Sequence, residues 1–168
     1  MMTGTDYAES AQVRWPVMGC PISQRFGENA SFYIAYGLAG HEGVDMACPA
    51  GTPVRAMAAG VVWRAGVTTG AYGTRVILRH RWGYSLYAHL SEVGVAVGTT
   101  VSAGTVIGRS GNTGRSTGAH LHWAVALPVV NPGYACPTAM RDAGTRQRFW
   151  WHDPLAETTR QAWAAGGG

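Results

Sequence analysis

The sequence predicts a mainly β fold, a single compact domain of antiparallel β-sheet that ends in a short helix. Three observations predict it. The 168-residue chain is 46% apolar and only 13% charged, as expected of one folded domain with a hydrophobic core. Its 24 glycines favour tight turns over long helices. Short runs rich in Val, Ile and Thr alternate with these turns, as strands do.

The N-terminal part of the chain is poor in regular patterns. Residues 1–14 are polar and are expected to form a flexible tail, which leaves one domain over residues 15–168. From Trp15 to Asp45 the chain is expected to be rich in loops. An aromatic stretch in this segment suits either a cleft wall or ordinary packing; its rings belong to Phe32, Tyr33 and Tyr36.

Strands are predicted from Thr52 onward. The runs TPVRAMAAGVVWRAGV, TRVILRHRW and YSLYAHL are apolar or β-branched and are separated by glycine-containing turns. The segment GVAVGTTVSAGTVIGRSG is expected to form a compact hairpin, and HLHWAVAL a strand that Pro128 ends. After a loop over residues 131–150, Asp153 suits a helix N-cap and Pro154 the first helical position, which predicts the C-terminal helix.

The charged residues and cysteines exclude some classes of function. The net charge is +4 and all 13 basic residues are arginine, but they are scattered, so we expect no nucleic-acid binding. The use of arginine alone is explained best by a GC-rich genome, and a basic balance also suits an anionic partner such as a bacterial wall. The cysteines have no metal-type spacing, so each is interpreted as a small buried hydrophobe or an idle thiol. One disulfide is possible, but its pairing cannot be deduced; the cysteines are Cys20, Cys48 and Cys136.

The sequence contains no recognisable export or membrane segment. Its N-terminus lacks the charged and apolar regions of a signal peptide, and no stretch is apolar enough to span a bilayer. We therefore expect a protein made in the cytoplasm that reaches any extracellular substrate by another route.

Two short motifs predict a metal site. His41 and Asp45 lie in H-E-G-V-D, and His120 and His122 lie in H-L-H. Two histidines and a carboxylate make an open, catalytic type of zinc site. In a strand, His120 and His122 share a face, so one can bind metal while the other stands near the attacking water. The spacing does not decide which of them does so.

The first of these motifs needs a bend. In a straight strand His41 and Asp45 would lie roughly 13 Å apart, too far for one ion. Gly43 between them permits the chain to turn. His41 and Glu42 also resemble the start of a helical H-E-x-x-H zinc motif, but Asp45 occupies the position of its second histidine. Glu42 is therefore expected to be a solvated side chain near the site.

The remaining histidines and a glycine-rich run carry weaker indications. His89 ends a predicted strand, where histidine is usually structural or solvent-facing. We interpret His80 as a surface or sheet histidine and His152 as part of the entry to the last helix. The run SGNTGRSTG lacks the G-K-S/T of a phosphate loop and precedes a strand, so it indicates a shaped turn beside the cleft.

At this point the sequence resembles the lysostaphin/LytM-type zinc metallo-endopeptidases, which cut peptide bonds in bacterial peptidoglycan. The resemblance covers roughly Pro21 to Leu155. It rests on HEGVD and CPAGTPVRA, on AAGVV, on YAHLS, on VGTTVSAGTVIG, on SGNTGRSTGAHLHW and on the closing WHDPL. It implies the lysostaphin-type fold, a duplicated hybrid motif, with a peptidase domain over residues 15–168.

The resemblance also implies a role for each site residue. His41, Asp45 and His122 would bind one zinc ion, and His89 and His120 would be the catalytic histidines, acting on the attacking water and the developing oxyanion. Zinc suits this chemistry because it acidifies water and polarises a carbonyl. A neutral imidazole can take the proton of the water and deliver it to the leaving amine.

The resulting expectation is a zinc endopeptidase that acts as a monomer on peptidoglycan, as a phage endolysin or virion-associated enzyme. A bacterial enzyme with a trimmed leader is the runner-up. The alternatives are an inactive regulator of wall hydrolases, which the complete residue set disfavours, and an IIA-like phosphoryl-transfer domain, which Asp45 disfavours. A biotinyl or lipoyl carrier is excluded because the chain has no lysine to modify. Direct D-Ala to diaminopimelate links are favoured over glycine bridges as the bond that is cut.

Overall fold

Two antiparallel sheets form the part of the protein that the computed structural model describes, residues 14–136 and 147–156. The strands are β1 (Ile22–Gln24), β2 (Val44–Met46), β3 (Pro53–Arg55), β4 (Gly60–Gly66), β5 (Arg75–Arg79), β6 (Tyr84–Ala88), β7 (Glu92–Val93), β8 (Thr100–Val101), β9 (Val106–Arg109), β10 (Leu121–Leu127) and β11 (Trp150–His152). The larger sheet has the strand order β1-β2-β10-β6-β5-β4-β8, with β11 also paired to β10, and the smaller has the order β3-β9-β7.

Helical structure in the described residues is confined to one short segment. Helix α1 (Ala30–Tyr33) runs directly into a 3-10 turn (Ile34–Tyr36), and neither buries a residue. The predicted C-terminal helix lies outside the described residues except at its first positions. There Asp153 Oδ1 accepts a hydrogen bond from Leu155 N at 2.8 Å, in a turn. The predicted tail also lies outside them, apart from Arg14. No described helix has the length and apolarity to span a membrane.

The central strand β10 organises the larger sheet. All seven of its residues are buried, as expected of a strand covered on both faces. One edge pairs with β6, and the other pairs first with β2 and then with β11. The predicted mainly β, antiparallel fold is therefore confirmed. The prediction of a helix entry at His152 is wrong, because that residue ends β11 and pairs with Val125.

The predicted hairpin over residues 94–111 is wrong. Its first half, β8, pairs with β4 in the larger sheet, whereas its second half, β9, pairs with β3 and β7 in the smaller sheet. The turn between them contains Gly104 at a φ of 86°. A glycine turn in sequence does not show whether the flanking strands pair with each other, and here the turn carries the chain from one sheet to the other.

A disulfide joins Cys20 to Cys48, whose Cα atoms lie 5.1 Å apart. The sequence left open whether any pair of cysteines forms a disulfide, and the structure links these two. They come just before β1 and just after β2, and the antiparallel pairing of those strands brings them together. Cys136 is the free cysteine of the described residues. The cross-link therefore fastens the strand that carries Asp45 to its neighbour.

His80 is buried and directly follows the last residue of β5, so the structure agrees with a histidine of the sheet and not with one on the surface. Its Nδ1 donates to the carbonyl of Ala59 at 2.7 Å, and its Nε2 accepts from the Ser85 hydroxyl at 2.7 Å. Tyr87 completes the network, with its hydroxyl 3.1 Å from Ser85 Oγ. Burial lowers the pKa of His80 to about 4, so the ring is neutral near pH 7.

Candidate metal centre

The register of β10 against its neighbours assembles the centre. His122 is the direct partner of Asp45 on β2 and of Ala88 on β6. Residues directly opposite each other in an antiparallel pair project to the same face. Asp45 and His122 therefore meet on one face, and His89 follows immediately at the end of β6.

Three ligand atoms converge at this point. His41 Nε2 and His122 Nδ1 lie 3.0 Å apart, and Asp45 Oδ1 lies 3.2 Å from the first and 2.9 Å from the second. Ligand atoms on a four-coordinate zinc ion with bonds of about 2.0–2.1 Å are themselves about 3.3 Å apart. Two imidazole nitrogens and one carboxylate oxygen are also a donor set typical of catalytic zinc. These three residues can hold one metal ion.

The ligand atoms interact strongly with one another even without a metal. Burial alone would raise the pKa of Asp45, but hydrogen bonds from His122 and His41 outweigh it and hold that pKa well below its usual range. Burial also acts to lower the pKa of His122, but Asp45 and Glu42 raise it above its usual value. The cluster thus concentrates negative charge around two nitrogens, which is the electrostatic condition that favours a cation.

Gly43 lies at the bend between His41 and Asp45, but its backbone is not in the left-handed region that favours glycine. The chain bends at residues 42–43, as predicted, and β2 begins at Val44. A Cβ atom on Gly43 would lie 2.6 Å from the Trp123 carbonyl oxygen and 2.8 Å from Cε1 of His122. The site therefore requires glycine because nothing larger fits beside the His122 ring.

His89 faces the three ligands from the end of β6. Its backbone φ is 61°, a left-handed conformation that non-glycine residues rarely adopt and that is typical of functional sites. Its Nδ1 donates to the Thr113 carbonyl at 2.8 Å, which leaves the Nε2 lone pair free. Burial, with a contribution from His122, lowers the pKa of His89 to about 4. The ring is therefore a neutral acceptor near pH 7.

His120 stands beside His89, with their ring centroids 4.6 Å apart. Its Nδ1 donates to the Gly118 carbonyl at 2.8 Å and lies 3.1 Å from Ser116 Oγ. Its Nε2 lies 3.6 Å from Asp45 Oδ2, the carboxylate oxygen on the side away from the His41 contact. The glycine-rich turn thus orients His120 towards the ligand cluster.

Glu42 is buried, so the prediction that it is a solvated side chain is wrong. Only 7% of its surface is exposed. Its Oε1 accepts a hydrogen bond from the Tyr72 hydroxyl at 2.8 Å and lies 4.0 Å from Nε2 of His122. The bend at Gly43 turns this side chain inward, next to a ring that the sequence places eighty positions away.

A cavity of about 480 Å³ opens over the ligand cluster. Phe32, Tyr33 and Tyr36 all line it, so the aromatic stretch forms a cleft wall and not only internal packing. Phe32 and Tyr36 are about half exposed. Such rings offer a flat apolar surface to an extended ligand.

Arg115 places a positively charged side chain in the lining of the cavity. Its guanidinium lies 4.6 Å from the centroid of the Tyr36 ring, a cation–π contact that reduces its freedom. Its backbone N donates to the Ala71 carbonyl at 2.8 Å. Within the described ranges no carboxylate forms an ion pair with Arg115. A cation is therefore presented at the wall of the cleft, exposed to whatever enters.

Sequence reasoning brought five residues to this centre, and the structure places all of them there: His41, Asp45, His89, His120 and His122. It missed Tyr72 and Arg115, and it placed Glu42 near the site but as a solvated side chain. Glu42 directly follows the ligand candidate His41, and Arg115 lies in the glycine-rich turn that was expected beside the cleft. Both positions are signals in the sequence that could have pointed to the site. Nothing in the sequence around Tyr72 points to the site.

Known proteins resemble this chain over the same region. The sequence profile of peptidase family M23 matches residues 39–132, more than half of the chain and the part that contains all five residues. The DD-carboxypeptidase/endopeptidase Mpg of Neisseria meningitidis serogroup B is 49% identical over 102 residues, which cover 58% of this chain. The matched region is 23% of that relative's length.

Solved structures share the fold. A zinc-containing peptidase from Vibrio cholerae superposes with a TM-score of 0.62 at 32% identity, over 70% of this chain and 37% of that one. The antimicrobial peptidase lysostaphin from Staphylococcus simulans superposes with a TM-score of 0.59 at 27% identity, over 82% of this chain and 56% of that one. The predicted lysostaphin-type architecture is confirmed by these likenesses.

Proposed function

Because this chain belongs to peptidase family M23, we propose that it is a zinc-dependent endopeptidase that hydrolyses peptide cross-links of bacterial peptidoglycan. The observation that carries the proposal is the convergence of His41 Nε2, Asp45 Oδ1 and His122 Nδ1 within 3.2 Å of one another, beneath a cleft. These three residues would hold the zinc ion. When bound, zinc would supply Lewis-acid chemistry, acidifying a water molecule and polarising the scissile carbonyl.

His89 and His120 are proposed as the catalytic histidines. The Thr113 carbonyl fixes the proton of His89 on Nδ1, so Nε2 is free to accept a proton from the attacking water. His120 is held in the same way by the Gly118 carbonyl, with Nε2 directed at the site. It would stabilise the developing oxyanion or pass a proton to the leaving amine. The two ring centroids lie 4.6 Å apart, so both histidines would act on the same bound substrate.

The cleft favours a substrate that carries a carboxylate. Arg115 and the aromatic wall present a cation beside a flat apolar surface, which suits a stem peptide ending in D-Ala or containing diaminopimelate. A glycine bridge has no side-chain carboxylate to meet this guanidinium. Cleavage of direct D-Ala to diaminopimelate links is therefore the finer form of the proposal. The name of Mpg, a DD-carboxypeptidase/endopeptidase, is consistent with it.

The proposed site of action is the cell wall, reached from the cytoplasm as by a phage endolysin or virion-associated enzyme. The Cys20–Cys48 disulfide supports a working location outside the reducing cytoplasm. A monomeric state and the absence of nucleic-acid binding belong to the same proposal. Addition of purified protein to intact and to outer-membrane-permeabilised cells, with turbidity recorded, tests whether it acts on walls from outside.

Two other functions are less well supported by the geometry. An inactive regulator would have no need of the complete set of five residues that the site retains. A phosphoryl-transfer site would need to admit a phosphate anion, but Asp45 Oδ2 lies 3.6 Å from Nε2 of His120 and would repel it. Zinc content of the purified chain, combined with digestion of purified peptidoglycan, separates the peptidase from both alternatives.

A further inference from the structure

Two buried polar atoms next to the ligand cluster have no hydrogen-bond partner among the described residues. One is Nε2 of His122 and the other is Oε2 of Glu42. A buried donor or acceptor without a partner destabilises the folded protein. Both atoms belong to side chains that face each other, since Glu42 Oε1 lies 4.0 Å from His122 Nε2.

The chemistry of the imidazole explains the unpartnered nitrogen. To bind a metal through Nδ1, His122 must be neutral and must carry its proton on Nε2. That proton then needs an acceptor in a place that water does not reach, because the His122 side chain is only 4% exposed. The carboxylate of Glu42 is positioned for this role, and a shortening of about 1 Å brings the pair into hydrogen-bond range.

Tyr72 holds the carboxylate in place. Its hydroxyl donates to Glu42 Oε1 at 2.8 Å, and its ring lies 5.6 Å from the His122 ring, centroid to centroid. Glu42 therefore has a fixed orientation before any metal binds. Oε1 also faces the ring nitrogen on the far side from the ligand atom, so Glu42 is placed to act on His122.

Charge supports the same conclusion. With His41 and His122 neutral, Asp45 is the one anionic member of the ligand set. Glu42 adds a second negative charge behind His122, so that two carboxylates offset the two positive charges of a zinc ion. Histidine ligands of zinc commonly donate their second N–H to a carboxylate, which fixes the tautomer and raises ligand basicity.

We propose that Glu42 is a positioning residue of the metal centre. Its carboxylate accepts a hydrogen bond from the Nε2–H of His122 while Nδ1 binds zinc, and the Tyr72 hydroxyl holds that carboxylate in its orientation. The inference rests on the part of the proposed function that assigns zinc to His41, Asp45 and His122. It does not depend on the substrate or on peptidase activity.

Zinc affinity tests the proposal directly. The dissociation constant is measured by competition with a chromophoric chelator at constant pH for the wild type, Glu42→Gln and Tyr72→Phe. Glu42→Gln keeps the size of the side chain and removes its charge, so it should weaken zinc binding by roughly 10- to 100-fold. Tyr72→Phe should weaken it by a smaller factor, since it removes only the group that orients the carboxylate. Glu92→Gln is the matched control, because Glu92 lies on β7, where its exposed side chain pairs with Arg109. This variant should bind zinc like the wild type.

A spectroscopic measurement separates positioning from a merely structural role. In zinc-loaded protein with 15N-labelled histidine, the His122 Nε2 proton should give a slowly exchanging, downfield NMR resonance. In Glu42→Gln that resonance should move upfield or be lost to exchange, while the resonances of the core strands stay in place.

The outcomes are distinct. Wild-type zinc affinity together with an unchanged His122 resonance in Glu42→Gln would overturn the inference and leave the proposed function standing. A wild-type chain that binds no zinc would overturn both. If Glu42→Gln does not fold, Tyr72→Phe decides by the same two readouts, since it deletes a single hydroxyl group.

Discussion

Gly43 and His122 approach so closely that a Cβ atom on Gly43 would lie 2.8 Å from Cε1 and 3.0 Å from Nε2 of the His122 ring. The glycine belongs to the loop that delivers His41, and His122 belongs to the central strand β10. The contact therefore couples the bend of the first motif to the orientation of the last ligand.

Gly43→Ala is expected to displace His122 and weaken zinc binding. The added methyl group would also overlap the Trp123 carbonyl oxygen, and overpacking of this kind typically costs about 1–3 kcal/mol of stability. Zinc affinity and urea unfolding of the metal-free protein measure the two effects. Gly118→Ala is the matched control, because a Cβ atom there would meet nothing within 4 Å. Equal zinc affinities for both variants would show that the close contact is unimportant.

Much of the centre could be predicted from the sequence, for identifiable reasons. The i and i+2 spacing of His120 and His122 puts both on one face whatever the rest of the fold does. The glycine in H-E-G-V-D indicates a bend. The assignment of His122 to the metal, and of His89 to the site at all, came from family resemblance and not from spacing.

The remaining features depend on pairing between distant segments. Cys20 and Cys48 are joined because β1 and β2 pair, and no local pattern encodes that pairing. Glu42 is buried because the bend turns it towards Tyr72 and His122, although its neighbours in sequence suggest a solvated residue. The strands β8 and β9 enter different sheets even though one turn separates them.

His80 is expected to make stability depend on pH. Its pKa is about 4 in the folded protein, below the ~6.5 of an unfolded chain. The unfolded state therefore binds the proton more readily, so the contribution of His80 is present above about pH 6.5 and is lost as the pH falls to 4. The loss amounts to at most about 3 kcal/mol.

The free energy of unfolding of metal-free protein, measured by urea from pH 7 to pH 4, checks this expectation. His80→Asn retains a donor towards Ala59 and should show a shallower dependence on pH than the wild type, although its stability at pH 7 is lower. His89 has a similarly lowered pKa and contributes to the slope of both proteins, so the difference between them is the relevant quantity. Parallel curves would contradict the assignment.

Removal of the disulfide is expected to destabilise the domain. The cross-link closes a loop of 28 residues, which corresponds to about 3–4 kcal/mol in the chain-entropy account. The double variant Cys20→Ser, Cys48→Ser should therefore have a lower urea midpoint than the wild type. Cys136→Ser, which removes the free cysteine, serves as the control. A double variant as stable as that control would show that the cross-link does not stabilise the protein.

Arg115→Met is expected to impair recognition of carboxylate-bearing substrates. Methionine keeps an apolar stem against Tyr36 but removes the cation, so KM for a D-Ala to diaminopimelate cross-linked peptide should rise by roughly fivefold with little change in kcat. The same peptide with its free carboxylates amidated is the control substrate. It should be cleaved equally well by the wild type and the variant. If the variant loses the same factor on both substrates, Arg115 does not read a carboxylate.

The most direct test of the account is mass spectrometry of the peptides released when zinc-loaded protein digests purified, cross-linked peptidoglycan. The wild type should convert cross-linked dimers into monomers through new peptide termini. His122→Ala should lose zinc and this activity together, whereas His120→Ala should keep the zinc and lose at least about a hundredfold in rate. Dimers that survive digestion by the zinc-loaded wild type, or full activity in His122→Ala, would contradict the proposal that His41, Asp45 and His122 form the metal centre of a peptidoglycan endopeptidase.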